Sequence, residues 1–329
     1  MRLGYFADGP WSHLALEKIV CDDRFEIAFI VPRFDSQDPV LRDWAKKLGV
    51  EFIPIENVNR PEAVEKLRGY KADLFVSMSF NQILRKEILA VPSKGFINCH
   101  AGALPFYRGR NILNWVLIND EKEFGVTVHY VDEGIDTGNI ILQRMYPITD
   151  QDDYATLLER ATRACAELLY EAMIQIENDS VKQVVQATID SRGSYFGRRV
   201  AGDEWIDWGW TSRRIFNFVR AITTPGPCAR TMLGEDEIAI ERVSLLDNAS
   251  DYLGTAGEIV GKEDGCLTVK TGDSTIRVEL FARVDSGAQK RGADDNLFSQ
   301  LRIGNRFGVN IHSELLRLRK RVDALEQSK

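Results

Sequence analysis

The sequence predicts an α/β protein with a doubly wound, Rossmann-like N-terminal domain, a smaller β-rich, barrel-like C-terminal domain and a helical tail. Three observations predict it. From Arg2 to about Ile148, short β-rich apolar runs alternate with amphipathic stretches, the pattern of parallel strands joined by crossover helices. Beyond Asp190 the texture changes to short runs that alternate apolar and polar residues between turn signals, as a small antiparallel barrel requires. At the end of the chain Ile311, Leu315, Leu318, Val322 and Leu325 recur at alternating four- and three-residue intervals, the a/d seam of a short coiled coil. The expected divisions are therefore residues 1–190, 191–308 and 309–329.

Taken in order, Leu3 to Phe6, Phe25 to Val31, Leu74 to Val76 and Phe96 to Cys99 read as buried strands, with a helix over Leu41 to Leu48 between the second and third. The first strand-to-helix turn, Phe6-Ala-Asp-Gly9-Pro-Trp, lacks the G-x-G-x-x-G fingerprint, and no G-x-x-x-x-G-K-[ST] loop occurs, which disfavours a nicotinamide dehydrogenase. Gly125 to Tyr130 is a further strand. From Asp153 to Ile176, apolar residues including Leu157, Ala161, Cys165, Leu168, Leu169, Ala172 and Ile176 recur at helical spacing, with Asp152 or Asp153 available as the cap. This helix is expected to close the first domain. In the second, a helix over Ser212 to Ala221 precedes strands around Gly257, Cys266 to Lys270 and Thr275 to Leu280.

At 329 residues, with 44% hydrophobic residues, the chain can bury a sizeable core. Its formal net charge of -7 offers no overall footprint for nucleic acid and weighs against a tRNA substrate. The five cysteines are scattered, with no Cys-x-x-Cys pair and no metal-ligand spacing, so reduced thiols in the cytoplasm are expected and a bound metal is not. Charged residues interrupt every apolar run before it reaches the length of a membrane span, and no signal peptide is expected.

The chemistry is written into two Gly-rich junctions, Asn98-Cys-His-Ala-Gly-Ala-Leu-Pro and Asp132-Glu-Gly-Ile-Asp-Thr-Gly138. Asn98 and His100 stand two apart at the end of an apolar run, so on a strand they project from one face and Cys99 from the other. Asp136 follows the Gly125–Tyr130 strand on a loop able to return to the end of the first. Acyl transfer to an amine needs a base for the ammonium proton, a donor for the oxyanion and a carboxylate that orients the imidazole. His100, Asn98 and Asp136 supply one of each. His129 ends its strand and reads as structural or as part of the site rim, and His13 as a first-loop or first-turn residue.

With Asn98-Cys-His100, Leu104-Pro-Phe-Tyr-Arg-Gly109, Asn114-Trp-Val-Leu-Ile-Asn119, Gly125-Val-Thr-Val and Asp136-Thr-Gly138 in this order, the chain resembles the folate-dependent formyltransferase family. The resemblance extends through the barrel to about Gly304. It implies that Asn98 and His100 hold the tetrahedral intermediate, with His100 as proton acceptor and Asp136 as its partner, and that 10-formyltetrahydrofolate is the donor. It places Met78, Phe80 and Ile83 at the pterin pocket, where core packing is the alternative, with Arg108 and Asp132 also beside the donor. Ala101-Gly-Ala-Leu and Asp8-Gly-Pro-Trp depart from the commoner family pattern, which bears on the folate pocket.

Within the family, Asn114 to Asn119, Ser194 to Arg199 and Ile206-Asp-Trp208 resemble enzymes that formylate nucleotide-linked amino sugars. On that reading Asn111 positions the sugar, Arg198 and Arg199 hold a diphosphate, and Tyr195 or Phe196 stacks on the base. A solvated basic turn and packing between domains are the alternatives. The expected acceptor is a dTDP-linked amino-deoxysugar destined for a surface polysaccharide such as lipopolysaccharide O-antigen, and the tail predicts a homodimer. The competing readings are a methionyl-tRNA formyltransferase and a noncatalytic module that binds folate or a nucleotide sugar. Neither nucleic acid nor membrane is an expected partner.

Overall fold

The computed structural model describes residues 1–285, 288–289, 294–309 and 311–327. The chain divides into two compact units, one of Met1–Val116, Glu121–Gln151 and Thr156–Arg199, the other of Leu117–Asp120, Asp152–Ala155 and Val200–Lys329.

In the first unit β1 (Arg2–Ala7), β2 (Glu26–Pro32), β3 (Glu51–Phe52), β4 (Leu74–Met78) and β5 (Phe96–His100) run parallel. A two-residue strand, β6 (Arg108–Gly109), lies apart from them, and β7 (Glu123–Tyr130) and β8 (Ile140–Pro147) add antiparallel beyond β5. The sheet order is β3-β2-β1-β4-β5-β7-β8, a doubly wound half with an antiparallel extension. Its crossover helices are α1 (Gly9–Val20), α2 (Pro39–Leu48), α3 (Pro61–Gly69) and the short α4 (Lys86–Leu89). Proline opens α2 and α3, where a missing N–H costs nothing. Asp38 caps α2 by accepting from the Val40 and Leu41 amides, and its second oxygen accepts from Gly9 N–H and lies 2.8 Å from His13 Nε2. That accounts for His13 on α1 as a structural residue.

The core lies on both faces of the parallel strands. Phe6 meets Phe96 at 4.9 Å and Phe75 at 5.1 Å between ring centroids, and Phe29 packs edge-on to Phe75. After α5 (Ile112–Ile118), the long α6 (Tyr154–Glu177) covers β5 on one side, where the Cys99 thiol donates to the Cys165 carbonyl at 3.6 Å. The Asn98 and His100 side chains take the opposite face. Beyond α6 the first unit continues through β9 (Tyr195–Phe196), which pairs in parallel with β6.

The second unit opens with α7 (Ser212–Ile222), whose N-cap Thr211 accepts from Arg214 N–H. Antiparallel strands follow: β10 (Ala229–Leu233), β11 (Asp236–Leu245), β12 (Ile259–Glu263), β13 (Cys266–Lys270) and β14 (Thr275–Asp285), ordered β10-β11-β14-β13-β12. β15 (Ala288–Gln289) pairs with the end of β14. The two edges are drawn together by the segment at 305–308, because Ile259 N–H donates to Asn305 O, Phe307 N–H to Gly257 O and Gly308 N–H to Met232 O. These bonds bridge the two edge strands and give the sheet its barrel character. After α8 (Asp295–Gln300), the tail is the helix α9 (Ile311–Gln327), and its a/d residues are between 46% and 66% exposed.

Candidate active site

Antiparallel pairing of β5 with β7 sets Asn98 opposite His129 and His100 opposite Thr127, so both imidazoles and the Asn98 amide share one face of the sheet. The loop after β7 then brings Asp136 between the two rings. Its Oδ2 lies 3.7 Å from His100 Nδ1 and its Oδ1 lies 3.5 Å from His129 Nε2. Gly109 N–H donates to Oδ2 at 2.9 Å. Burial alone would raise the Asp136 pKa, but the neighbouring His100 and His129 rings and the Gly109 amide outweigh it and hold the carboxyl well below the usual carboxylate range.

The backbone settles the role of each ring nitrogen. His100 Nε2 is 2.7 Å from the Tyr107 carbonyl, which can only accept, so Nε2 carries the proton and Nδ1 is left to receive one. The 3.7 Å between Nδ1 and Asp136 exceeds a hydrogen bond, so the carboxylate acts on Nδ1 through its charge. His129 Nδ1 donates to Tyr130 O at 2.8 Å, which directs Nε2 at Asn98 Nδ2, 3.3 Å away. Asn98 is thereby held with its amide nitrogen fixed on the site face.

Two glycines let these loops approach. A Cβ on Gly102 would meet both His100 Nε2 and the Tyr107 carbonyl at 2.5 Å, breaking the bond that sets the tautomer. Gly109 has φ +102, and a Cβ there would lie 2.2 Å from Phe196 O. Thr127, fully buried opposite His100, donates its hydroxyl to Gly102 O at 2.6 Å and accepts from Gln143 Nε2 at 2.8 Å, anchoring the loop that leaves β5.

The structure brings Asn98, His100 and Asp136 together and distributes the expected binding residues differently. Met78 is 1% exposed and packs in the core instead of lining an open surface, Phe80 packs edge-on to Phe6, and Ile83 is 64% exposed. Asp132 accepts from Gly134 N–H and Thr137 Oγ1, folding the loop that carries Asp136. Arg108 turns its guanidinium to the Gln186 side-chain oxygen and the Arg192 carbonyl. Asn111, at the start of α5, accepts from Arg199 N–H at 3.0 Å. Phe196 stacks on Tyr107 at 4.9 Å and 7° and lies 5.5 Å from the Trp115 ring, so its ring packs within the unit. Tyr195 is 57% exposed and Arg198 is also exposed, while Arg199 is half-buried.

His129, Thr127, Tyr107 and Gln186 also contact Asn98, His100 or the loops that carry the site; of these only Gln186 lies outside the sequence motifs, while Thr127 and Tyr107 stand in them without an assigned role and His129 reads as structural or as part of the rim. The only signal for His129 and Thr127 was their shared phase on the strand with one another, which becomes informative once β5 is the neighbour. Among the described residues no group of three or more His, Cys, Asp or Glu side chains could hold a metal ion.

A doubly wound sheet with Asn98 and His100 at the carboxyl end of β5 and Asp136 on the loop after β7, followed by a unit built on an antiparallel sheet, defines a two-domain α/β protein. Residues 31–173 match the formyl transferase model and residues 200–288 the model of the formyl transferase C-terminal domain; the chain belongs to the formyl transferase family. Among solved structures it is similar to WlaRD, a sugar 3N-formyltransferase crystallised with dTDP and 5-N-formyl-THF. The identity is 23% and the TM-score 0.66, over 87% of this chain and 98% of that one. It is also similar to an N-formyltransferase from Helicobacter canadensis in complex with folinic acid and dTDP-3-aminofucose, at 22% identity and TM-score 0.64, over 86% and 99%. HypX from Aquifex aeolicus, in complex with tetrahydrofolic acid, matches at 17% identity and TM-score 0.62, over 91% of this chain and 48% of that longer one.

Proposed function

We propose that the chain transfers the formyl group of 10-formyltetrahydrofolate to the amine of a dTDP-linked amino-deoxysugar in the synthesis of a surface polysaccharide. The observation that carries the reading is the Asp136 carboxylate set between His100 and His129 beside the Asn98 amide. The amine adds to the formyl carbon and its proton passes to His100 Nδ1, where Asp136 stabilises the imidazolium. Asn98 N–H and the new Nδ1–H meet the oxyanion. Collapse breaks the bond from the formyl carbon to N10, which takes the proton back from His100, and tetrahydrofolate leaves.

The acceptor and donor rest on likeness: the two matched sugar formyltransferases that span nearly the whole fold were crystallised with dTDP or a dTDP-sugar and with a formylated folate. The net charge of -7 favours a small anionic-sugar substrate over tRNA only modestly. The exposed Tyr195 and Arg198, on the segment laced to the catalytic loop, are the groups we assign to the nucleotide. Among the described residues no helix is long and apolar enough to cross a membrane, and the cysteines are free, which accords with a cytoplasmic enzyme. A homodimer through α9 completes the reading.

The test gives purified enzyme 10-formyltetrahydrofolate with methionyl-tRNA or with a panel of thymidine-, uridine- and guanosine-linked amino sugars, and follows tetrahydrofolate release. Turnover on thymidine-linked amino sugars is expected. Turnover on methionyl-tRNA alone would overturn the assignment.

A further inference from the structure

We infer that Gln186 is a positioning residue for formyl transfer, holding the catalytic Asp136 from behind through a relay that begins at Arg108. The inference rests on the formyl-transfer reading of this site and adds to it a residue remote from the motif.

Gln186 opens the 3-10 turn Gln186–Thr188 after α6 and is 2% exposed. Every polar atom of its side chain is engaged. Its Oε1 accepts from Arg108 Nε at 3.1 Å and Nη2 at 2.7 Å, and its Nε2 donates to Asp136 O and to Gly138 O, both at 2.8 Å. A guanidinium has donors only, so the amide oxygen must face Arg108 and the NH2 must face the two carbonyls; the amide has one workable orientation.

What it grips is a residue in an unfavourable conformation. Asp136 has φ 55, a left-handed backbone that a non-glycine residue adopts at some cost and keeps only where its surroundings over-determine it. The two Gln186 bonds straddle that turn. On the other side the Asp136 carboxylate is tethered by Gly109 N–H, one residue after Arg108 on β6. β6 thus holds Asp136 twice, directly at the carboxylate and through Gln186 at the backbone carbonyl. Arg108 is fixed in turn by Ser194 O, which accepts its amide at 3.0 Å, and by Arg192 O, which accepts from Nη1. The relay therefore acts on the reaction through Asp136, whose distance from His100 Nδ1 sets how strongly it stabilises the imidazolium.

Gln186→Glu tests this with little change of volume, because it keeps the partner of Arg108 but turns a carboxylate oxygen toward two carbonyls. A displacement near 1 Å of a catalytic group costs about a hundredfold in rate. With wild-type turnover of an amino sugar established first, we expect kcat to fall about a hundredfold, with KM for donor and acceptor within about twofold. In an Asp136→Asn background the same change should cost less than about threefold, since residues acting through one group are not additive. Hydrogen exchange of the 132–138 amides should accelerate in Gln186→Glu while β5 and β7 keep their protection. Gln186→Met, which removes the hydrogen bonds without adding charge, serves if the glutamate variant does not fold.

A wild-type kcat in a folded Gln186 variant would overturn the inference, as would equal losses in both backgrounds or unchanged exchange over 132–138. Failure of the wild type to formylate any acceptor would count against the formyl-transfer reading instead, and the exchange measurement would still test whether Gln186 holds the loop.

Discussion

Replacing Asp136 with asparagine removes a charge while keeping a shape that can still accept from Gly109 N–H. At 3.7 Å from His100 Nδ1, a carboxylate attracts an imidazolium by about 4 kcal/mol at an effective dielectric near 20. Losing all of it would slow the reaction by about a thousandfold. The Asp136 side chain is 13% exposed, and water at that edge takes back part of the interaction, so a fall of about a hundredfold to a thousandfold is expected. Because the charge acts only once His100 has taken the proton, the loss should appear in kcat with KM little changed. Single-turnover release of tetrahydrofolate, with circular dichroism to establish folding, measures it. A folded Asp136→Asn enzyme within tenfold of wild type would refute the electrostatic role. The same residue makes a stability prediction. Its folded pKa is depressed, so its contribution is complete above the ordinary value of 3.8 and is lost as pH falls through the lower folded value. The wild-type melting temperature should therefore drop more steeply below about pH 4 than that of Asp136→Asn.

His129→Ala frees the Asn98 amide and removes one ring from Asp136, and should lower kcat about tenfold to a hundredfold in steady-state kinetics while His100→Ala does far worse. Gly109→Ala puts a Cβ 2.2 Å from Phe196 O at φ +102, and thermal unfolding should show a loss of about 1–3 kcal/mol together with lower turnover. A chain ending at Gly308 lacks the exposed a/d stripe of α9, and sedimentation should then find a lower mass; an unchanged oligomer would remove the tail from the interface.

Much of the site was legible because its chemistry is local. Asn98 and His100 share a strand face by simple alternation, and Asp136 sits in a turn whose composition, Asp-Glu-Gly-Ile-Asp-Thr-Gly, is a loop by itself. The helix over Tyr154–Glu177 declared itself through apolar residues recurring at helical spacing from Leu157 to Ile176, and α9 through its heptads. By contrast, Ser194 to Arg199 reads locally as a polar turn with two aromatics. Phe196 became a packing residue because β6 and β9 pair across more than eighty residues of sequence, laying its ring on Tyr107.

The sequence by itself determined the doubly wound sheet, the β-rich second unit and the two junctions that carry Asn98, His100 and Asp136, since periodicity and turn chemistry are properties of neighbouring residues. Only the tertiary structure decided which nitrogen of His100 meets the Tyr107 carbonyl, that His129 stands against Asn98, and that the Gln186 amide donates to Asp136 O. Those facts depend on strand register and on carbonyls brought close by folding. A hydrogen bond is decided by tenths of an ångström between groups that the chain order leaves far apart.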